Sequence, residues 1–419
     1  MVLAALVYVK ISFVLGQRVD ATLLDADERE YYDLAGLLIN GNYEFDGRRT
    51  PGFVAIMALL RLITRDNLVA IQVIVTTVFS LSAPLLYLLI KRTIADRRVA
   101  IAAGLFVVLW PVFLFYGRTL YSETVALPMF IGFLLLLPPG SRLSTIRPAA
   151  LWRCGIAGAW LGLCMLIRPM YLLFSPFAIA IVFLEEDRFR TALKRAVWLT
   201  IGAALTVLPW SIFITLHTGT PTLLSANGGE TLAGGLNPVL VKMGYQEFIA
   251  PDGRQFWTGP GKWLPMSDNG YLQSEDFKLP YAERDRVLRQ RTIAWALSYP
   301  GQAASLQGAK LLYMWGFFPF WQGFKQTVGG NIPSVGALVL GILSLVRFRQ
   351  YWRQLSRFWV LPIFVSLVAL ISWGSWRFRQ PGDLGLLVLS ALFLCSLLIN
   401  PAKLMNIEPT RFEPKKVNV

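Results

Sequence analysis

One histidine, His217, and three cysteines, Cys154, Cys164 and Cys395, are all that this 419-residue chain offers for soft-metal or thiol chemistry. The cysteines fall inside apolar segments, so neither a disulfide framework nor a thiolate metal site is indicated. No HExxH, CxxC, Walker loop or GxSxG occurs, which leaves metalloprotease, ATPase and serine-hydrolase readings without support. Charge is sparse at 16% of residues, and acidic side chains are the scarcer sign: 25 Asp and Glu against 40 Lys and Arg, a net +15. The basic residues are scattered between apolar runs rather than gathered on one domain, which argues against nucleic acid as a partner. No internal repeat or low-complexity run is present.

What fills the chain instead is hydrocarbon. Hydrophobic residues make up 55% and aromatics 13%, outside the soluble globular range. The fold class this implies is an all-α polytopic membrane protein. Met1 to Gly16 reads as a first span, interrupted by Lys10, and Pro51 opens an interfacial or half-inserted helix from Thr50 to Ile63. Spans follow at Leu68 to Ile90, Val99 to Tyr116, Thr124 to Leu137, Leu151 to Ile167, Met170 to Leu184 and Val197 to Leu216. Later spans run Val335 to Val346, Phe358 to Ser372 and Leu384 to Ile399, giving about ten in all.

The basic loops Lys91 to Arg98, Arg142 to Arg153 and Arg188 to Arg195 place one side in the cytoplasm by the positive-inside rule. The same rule keeps Arg347, Arg349, Arg353 and Arg357 inside only if Lys310 to Trp321, broken by Pro319, is interfacial rather than spanning. The expected organisation is then an amino-terminal transmembrane module (1–216) with an acidic exterior loop (17–66), an exterior cap (217–303), and a carboxy-terminal part (304–419) ending in a basic tail. Tyr281 to Ser298 reads as a helix of the cap, stopped by Pro300 and Gly301.

The acidic loop is the segment that chemistry points to. Leu24 to Gly52 carries Asp25, Asp27, Glu28, Glu30, Asp33, Glu44 and Asp46, too many carboxylates to lie in hydrocarbon. Tyr31, Leu34, Ala35 and Leu38 recur at helical spacing, which predicts a short interfacial helix ended by Asn40 and Gly41. Asp27 with Glu30 three residues on has the form of a capping box. Asp27 is thus either a helix cap or a general base held at the membrane surface.

On the same face, Arg118, Arg168, Arg377 and Arg379 sit at outer span ends, where arginine is costly. Guanidinium groups bind phosphate with paired donors, so a lipid phosphate is the natural ligand; snorkelling to ordinary headgroups is the alternative. Glu123 begins a span on this face, either as favourable charge at a helix N-terminus or as part of a site.

Several segments then match in order. DEREYYDLAGLLINGNY followed by RRTPGF resembles the first exterior loop of the GT-C glycosyltransferases of the protein O-mannosyltransferase and aminoarabinose-transferase type. LYSET, GLCMLIRPMYLLFSP, LPWSIF, SANGGETLAGGLNP and WRFRQPGDLGLLVL extend the resemblance along nearly the whole chain. It implies a GT-C-type helical bundle that takes a sugar from a polyprenyl-phosphate donor and transfers it, with inversion, to a hydroxyl of a lipid, glycan or protein acceptor. It further implies a bacterial plasma membrane with the site on the exterior face.

By that resemblance the Asp-Glu pair Asp27 and Glu28 is catalytic, with Asp27 the general base, and Glu123, Asn227, Gly228, Gly229 and Asn237 contact the sugar or acceptor. Arg118, Arg168, Arg377 and Arg379 would hold the lipid phosphate. A divalent cation at Asp27 and Glu123 is left open, since metal use varies among these enzymes. The sequence departs from the family at Leu216 and His217, where relatives often carry Arg-Asn. Two rivals stand beside this reading. An envelope-glycan ligase or polymerase using polyprenyl diphosphate would rely on arginines and a histidine, and a flippase would need broken or charged spans near the bilayer midplane.

Overall fold

The computed structural model describes residues 2–15, 22, 24–141, 151–243, 247–249, 255–257, 271, 273, 275–317 and 331–405. Expectations that fall on 142–150, 318–330 and the basic tail at 406–419 lie outside the described residues. The chain is helical almost throughout. In order, α1 is Val2–Leu15, α2 Ala26–Ile39, α3 Pro51–Thr64, α4 Leu68–Ser80, α5 Ser82–Thr93, α6 Arg97–Leu109, α7 Pro111–Tyr116, α8 Glu123–Leu136 and α9 Leu151–Ile167. A 3-10 turn, Pro169–Phe174, leads into α10 Ser175–Glu185, then α11 Phe189–Thr218, α12 Gly228–Gly235 and α13 Pro238–Met243. After these come α14 Tyr281–Ser298, α15 Pro300–Met314, α16 Ile332–Arg347, α17 Ser356–Ile371, α18 Gln380–Leu398 and α19 Pro401–Leu404.

Among the described residues, three helical stretches are long and apolar enough to cross a membrane: Leu68–Thr93 at 26 residues, Phe189–Thr218 at 30 and Gln380–Leu398 at 19. The other apolar helices among the described residues have 10–17 residues, short of the roughly 20 that a span needs. The expected spans Leu68 to Ile90, Val197 to Leu216 and Leu384 to Ile399 therefore appear at spanning length, while others form shorter helices because of local breaks. Trp110 is extended ahead of Pro111, which splits the expected Val99 to Tyr116 span into α6 and α7. Pro169 begins a 3-10 turn that shortens the next helix.

The all-α expectation also needs one addition, a two-stranded antiparallel hairpin of β1 Glu247–Ile249 with β2 Gln255–Trp257, in which Phe248 faces Phe256. Each strand has three residues, one polar followed by two apolar, too few to show a period of two against the surrounding turn signals.

One apolar core runs from Tyr8 through the faces of α3 to α10 to the inner faces of α17 and α18. The closest helix pair in it is α9 against α11. A Cβ on Gly158 would stand 1.9 Å from the Leu199 carbonyl oxygen, and one on Gly202 would stand 2.0 Å from that of Gly155. Small residues at these positions let two backbones touch, the usual source of helix association in a medium as apolar as the side chains themselves.

Opposite the cavity described below, the expected basic loops meet loop carbonyls. Arg357, expected on the cytoplasmic side by the charge rule, is fully buried. It pairs with Glu185 at 2.6 and 2.7 Å and donates to the Leu134 and Leu137 carbonyls. The expected loop Arg188 to Arg195 is instead largely the first two turns of α11, because Ala192, Arg195 and Ala196 present an inward face.

Over the other end sits the cap. Ala233 of α12 and Leu288 of α14 share a small core, and Leu236 and Leu240 pack with Ala303 and Leu306 of α15 in another. Gly229 and Gly235 fit against the Asp285 and Ser372 carbonyls, where a Cβ would come within 1.9 and 2.0 Å. The cap thereby rests on the end of α17 and roofs the space over α2.

Candidate functional site

The N-terminus of α2 is fixed by a capping box, shifted by two residues from the one expected. Asp25, not Asp27, is the N-cap: its carboxylate accepts the Asp27 N–H at 3.2 Å, and Glu28 accepts the Asp25 N–H at 2.9 Å. Glu28 is fully buried and also accepts the Leu120 N–H at 2.9 Å. Tyr121 donates its hydroxyl to Asp25. The cap therefore fastens α2 to the connection that leads into α8, and it leaves the Asp27 side chain unused by the helix.

Asp27 turns instead toward a cavity of about 750 Å³, into which a third of its side chain is exposed. Two guanidinium groups reach it: Arg49 at 3.0 Å and Arg377. Arg49 comes from the RRTPGF loop and also pairs with Glu30 at 2.6 Å while lying over the Tyr31 ring. Arg377 comes from the turn between α17 and α18, lies 3.8 Å from the Tyr121 ring centre and reaches Glu123 with the other side of its fork. Glu123, buried at the first residue of α8, is held a second time by Arg168 at 2.6 Å.

The electrostatics follow from this packing. Burial alone would raise the Asp27 pKa, but Arg377 and Arg49 outweigh it and hold the carboxyl well below the usual range. The converse holds for Arg377, where Glu123 and Asp27 outweigh burial and keep the guanidinium charged. Burial pushes the Tyr121 phenol up, so it acts as a neutral donor. One donor in this cluster is left over: Arg168 Nη2 is buried without a hydrogen-bond partner among the described residues.

The remaining walls differ in character. Met170, Leu172, Leu173, Leu223 and Ile371 line an apolar side, while the cap contributes Asn227, Gly228, Asp285, Arg286 and Arg289. Arg289 pairs with Asp285 at 2.7 Å and keeps half of its side chain exposed. A carboxylate, several guanidinium groups and a greasy wall around one void can orient an amphipathic anion against a nucleophile's hydroxyl.

Of the expected site residues, Asp27, Arg168, Arg377, Asn227 and Gly228 line the cavity. Glu123 stands directly behind it through its arginines. Glu28 is a correction, since its two oxygens are occupied by backbone N–H groups. Arg379 is another: it is fully buried, paired with Asp383 at 2.7 Å and hydrogen-bonded to Ser334 at 2.7 Å, on the core side of its turn. Arg118 lies over Phe115 outside the cavity lining. Asn237 caps the start of α13 by accepting the Val239 and Leu240 N–H groups, and Gly229 is a packing contact with α14.

His217 is exposed, stacked on Phe213, and does not line the cavity. The sequence reading missed Arg49, Tyr121 and the α14 arginines. The double arginine that follows an acidic helix was the available signal for the first.

No protein-family model matches this sequence, and no characterised protein matches it significantly. Solved structures do share its fold. The oligosaccharyltransferase AglB from Archaeoglobus fulgidus, in complex with an inhibitory peptide and a dolichol-phosphate, superposes with a TM-score of 0.53 at 14% identity over 98% of this chain. The A. fulgidus oligosaccharyltransferase in complex with Zn and sulfate does so with 0.52 at 16% identity over 97%. This chain spans about half the length of those proteins, 52% and 50% respectively. The chain is thus a helical membrane protein with an oligosaccharyltransferase-like fold.

Proposed function

We propose that this chain is a GT-C-type glycosyltransferase that moves a glycosyl group from a polyprenyl-phosphate-linked sugar to a hydroxyl of a lipid, glycan or protein. The observation that carries the reading is Asp27: a carboxylate paired with Arg49 and Arg377 and a third exposed to a large, mostly apolar cavity. Asp27 accepts the proton of the attacking hydroxyl, and the phosphate leaves with the electrons of the broken glycosidic bond. Charge builds on that phosphate as the bond breaks, so preorganised cations stabilise the transition state more than the ground state.

Arg168, through its unpartnered Nη2, is the first candidate for the phosphate, with Arg289 and Arg286 facing it from the cap. The apolar wall would take the first isoprene units. A carboxylate held by two arginines is a weak base, so contact between the donor phosphate and Arg49 would loosen one restraint and strengthen it as the donor binds. In this reading the shorter apolar helices complete a bundle of about ten membrane-inserted elements, residues 217–303 form the cap, and the cavity faces the exterior of a bacterial plasma membrane.

The test uses purified protein in liposomes with radiolabelled sugar on polyprenyl monophosphate or on polyprenyl diphosphate. Transfer from the monophosphate is expected. Use of the diphosphate alone would select the ligase reading, and turnover of neither would remove the enzyme reading.

A further inference from the structure

A divalent ion at Asp27 and Glu123, left open by the sequence, does not fit the residues present. The two carboxylates converge on one guanidinium: Arg377 donates from Nη1 to Asp27 and from Nε and Nη2 to Glu123, the last at 3.2 Å. A hard dication needs about six oxygen ligands at about 2.0–2.6 Å, and here the facing oxygens already point at nitrogen. Arg377 is only 13% exposed and is kept in place by the Tyr121 ring beneath it. The charges leave nothing to recruit a dication either, because Asp27, Glu30 and Glu123 face Arg49, Arg168 and Arg377. Among the described residues no group of three or more His, Cys, Asp and Glu side chains could hold a metal ion.

We propose that Arg377 is the built-in cation of this site, standing where a divalent ion would otherwise join Asp27 to Glu123. It fixes the two acids at one spacing, keeps Asp27 ionised and aimed at the cavity, and supplies positive charge there without a metal. Arg377 is a positioning residue in this role: it acts through Asp27. A planar fork matches two carboxylates at once, which a lysine ammonium cannot do in the same geometry. The part of the inference that concerns turnover rests on the transferase reading above; the part that concerns ion binding does not.

The experiment titrates Mn²⁺ into the purified full chain and follows bound ion by electron paramagnetic resonance, with sugar transfer in the presence of EDTA as a second readout. The parent and its Asp27→Asn variant are expected to take up Mn²⁺ equally, because the pair is closed to metal. Arg377→Ala, which opens the space between the two acids, is expected to gain one bound Mn²⁺ that Arg377→Ala combined with Glu123→Gln loses again. Transfer by the parent is expected to be unchanged by EDTA. A parent that binds one Mn²⁺ lost in Asp27→Asn, or a folded Arg377→Ala chain that gains none, would overturn the inference, as would transfer abolished by EDTA and restored by Mn²⁺. Should no carrier support transfer at all, the transferase reading fails while the Mn²⁺ titration still decides the role of Arg377.

Discussion

Three acids within four residues divide the work at the start of α2. Asp25 and Glu28 hold the helix, and Asp27 is left to the cavity. Glu28→Gln would keep the shape but present an amide donor to one of two backbone N–H groups. It is expected to lower stability by about 1–3 kcal/mol, read as an earlier thermal transition in detergent, with activity falling only as the folded fraction falls. Asp27 behaves differently with pH. Its folded pKa lies below its unfolded value, so the stability it contributes is present above the ordinary carboxylate range and is lost as pH drops through the depressed folded value. Turnover by the parent should therefore show no acidic limb from Asp27 down to about pH 4. In Arg377→Gln a limb should appear at higher pH, because the largest opposing charge is gone. A limb at the same pH in both proteins would mean that Arg377 does not set the ionisation of Asp27.

Among the elements, those bounded by strong local punctuation were legible in the sequence. The predicted helix Tyr281 to Ser298 forms with those ends, and Leu151 to Ile167 forms between its expected bounds. Pro51 opens α3 and Gly41, at φ +73°, follows the end of α2 as read. Where the same pattern fitted twice, sequence could not choose: Asp25 with Glu28 and Asp27 with Glu30 both satisfy the capping box. The choice is made by Leu120 and Tyr121, about ninety residues away in the chain, which engage Glu28 and Asp25.

Arg377 and Arg379 pose the same problem, for a short turn sends one to the cavity and the other to Asp383 inside the core. Packing between α9 and α11 offers a test at this scale. Gly158→Val would drive a side chain into the Leu199 carbonyl and is expected to cost about 1–3 kcal/mol or more, whereas Gly336→Ala in α16 meets open space and should be neutral or slightly stabilising. Comparison of thermal unfolding of the two variants in one detergent checks it; equal transitions would mean that the α9–α11 contact does not limit stability.

Across the whole molecule, the basic, loop-locked end and the cavity end are chemically opposed. Arg357 and Arg195 tie loops together with carbonyl and carboxylate partners at one end, while at the other Arg49, Arg168 and Arg377 surround an accessible acid. The cap meets the second end through loop hydrogen bonds, such as Trp210 to the Leu224 carbonyl at 2.8 Å, and small-residue contacts such as Gly235 on Ser372. A ligand that bridges the cap arginines and the membrane module should therefore stabilise the assembled protein. Polyprenyl phosphate at about 100 times its dissociation constant is expected to add about 2.7 kcal/mol of apparent stability, seen as a rise in melting temperature that Arg168→Gln reduces. No rise in the parent would argue against a carrier site in this cavity.

The claim on which the rest depends is that Asp27 performs proton removal while its neighbour Asp25 performs structure. It is tested most directly by the rate of sugar transfer from polyprenyl phosphate in liposomes containing parent, Asp27→Asn or Asp25→Asn protein, each normalised to folded protein. The predicted result is a loss of about two to four orders of magnitude for Asp27→Asn, with Asp25→Asn close to the parent once corrected for its folded fraction. Transfer by Asp27→Asn at the parental rate would contradict the assignment.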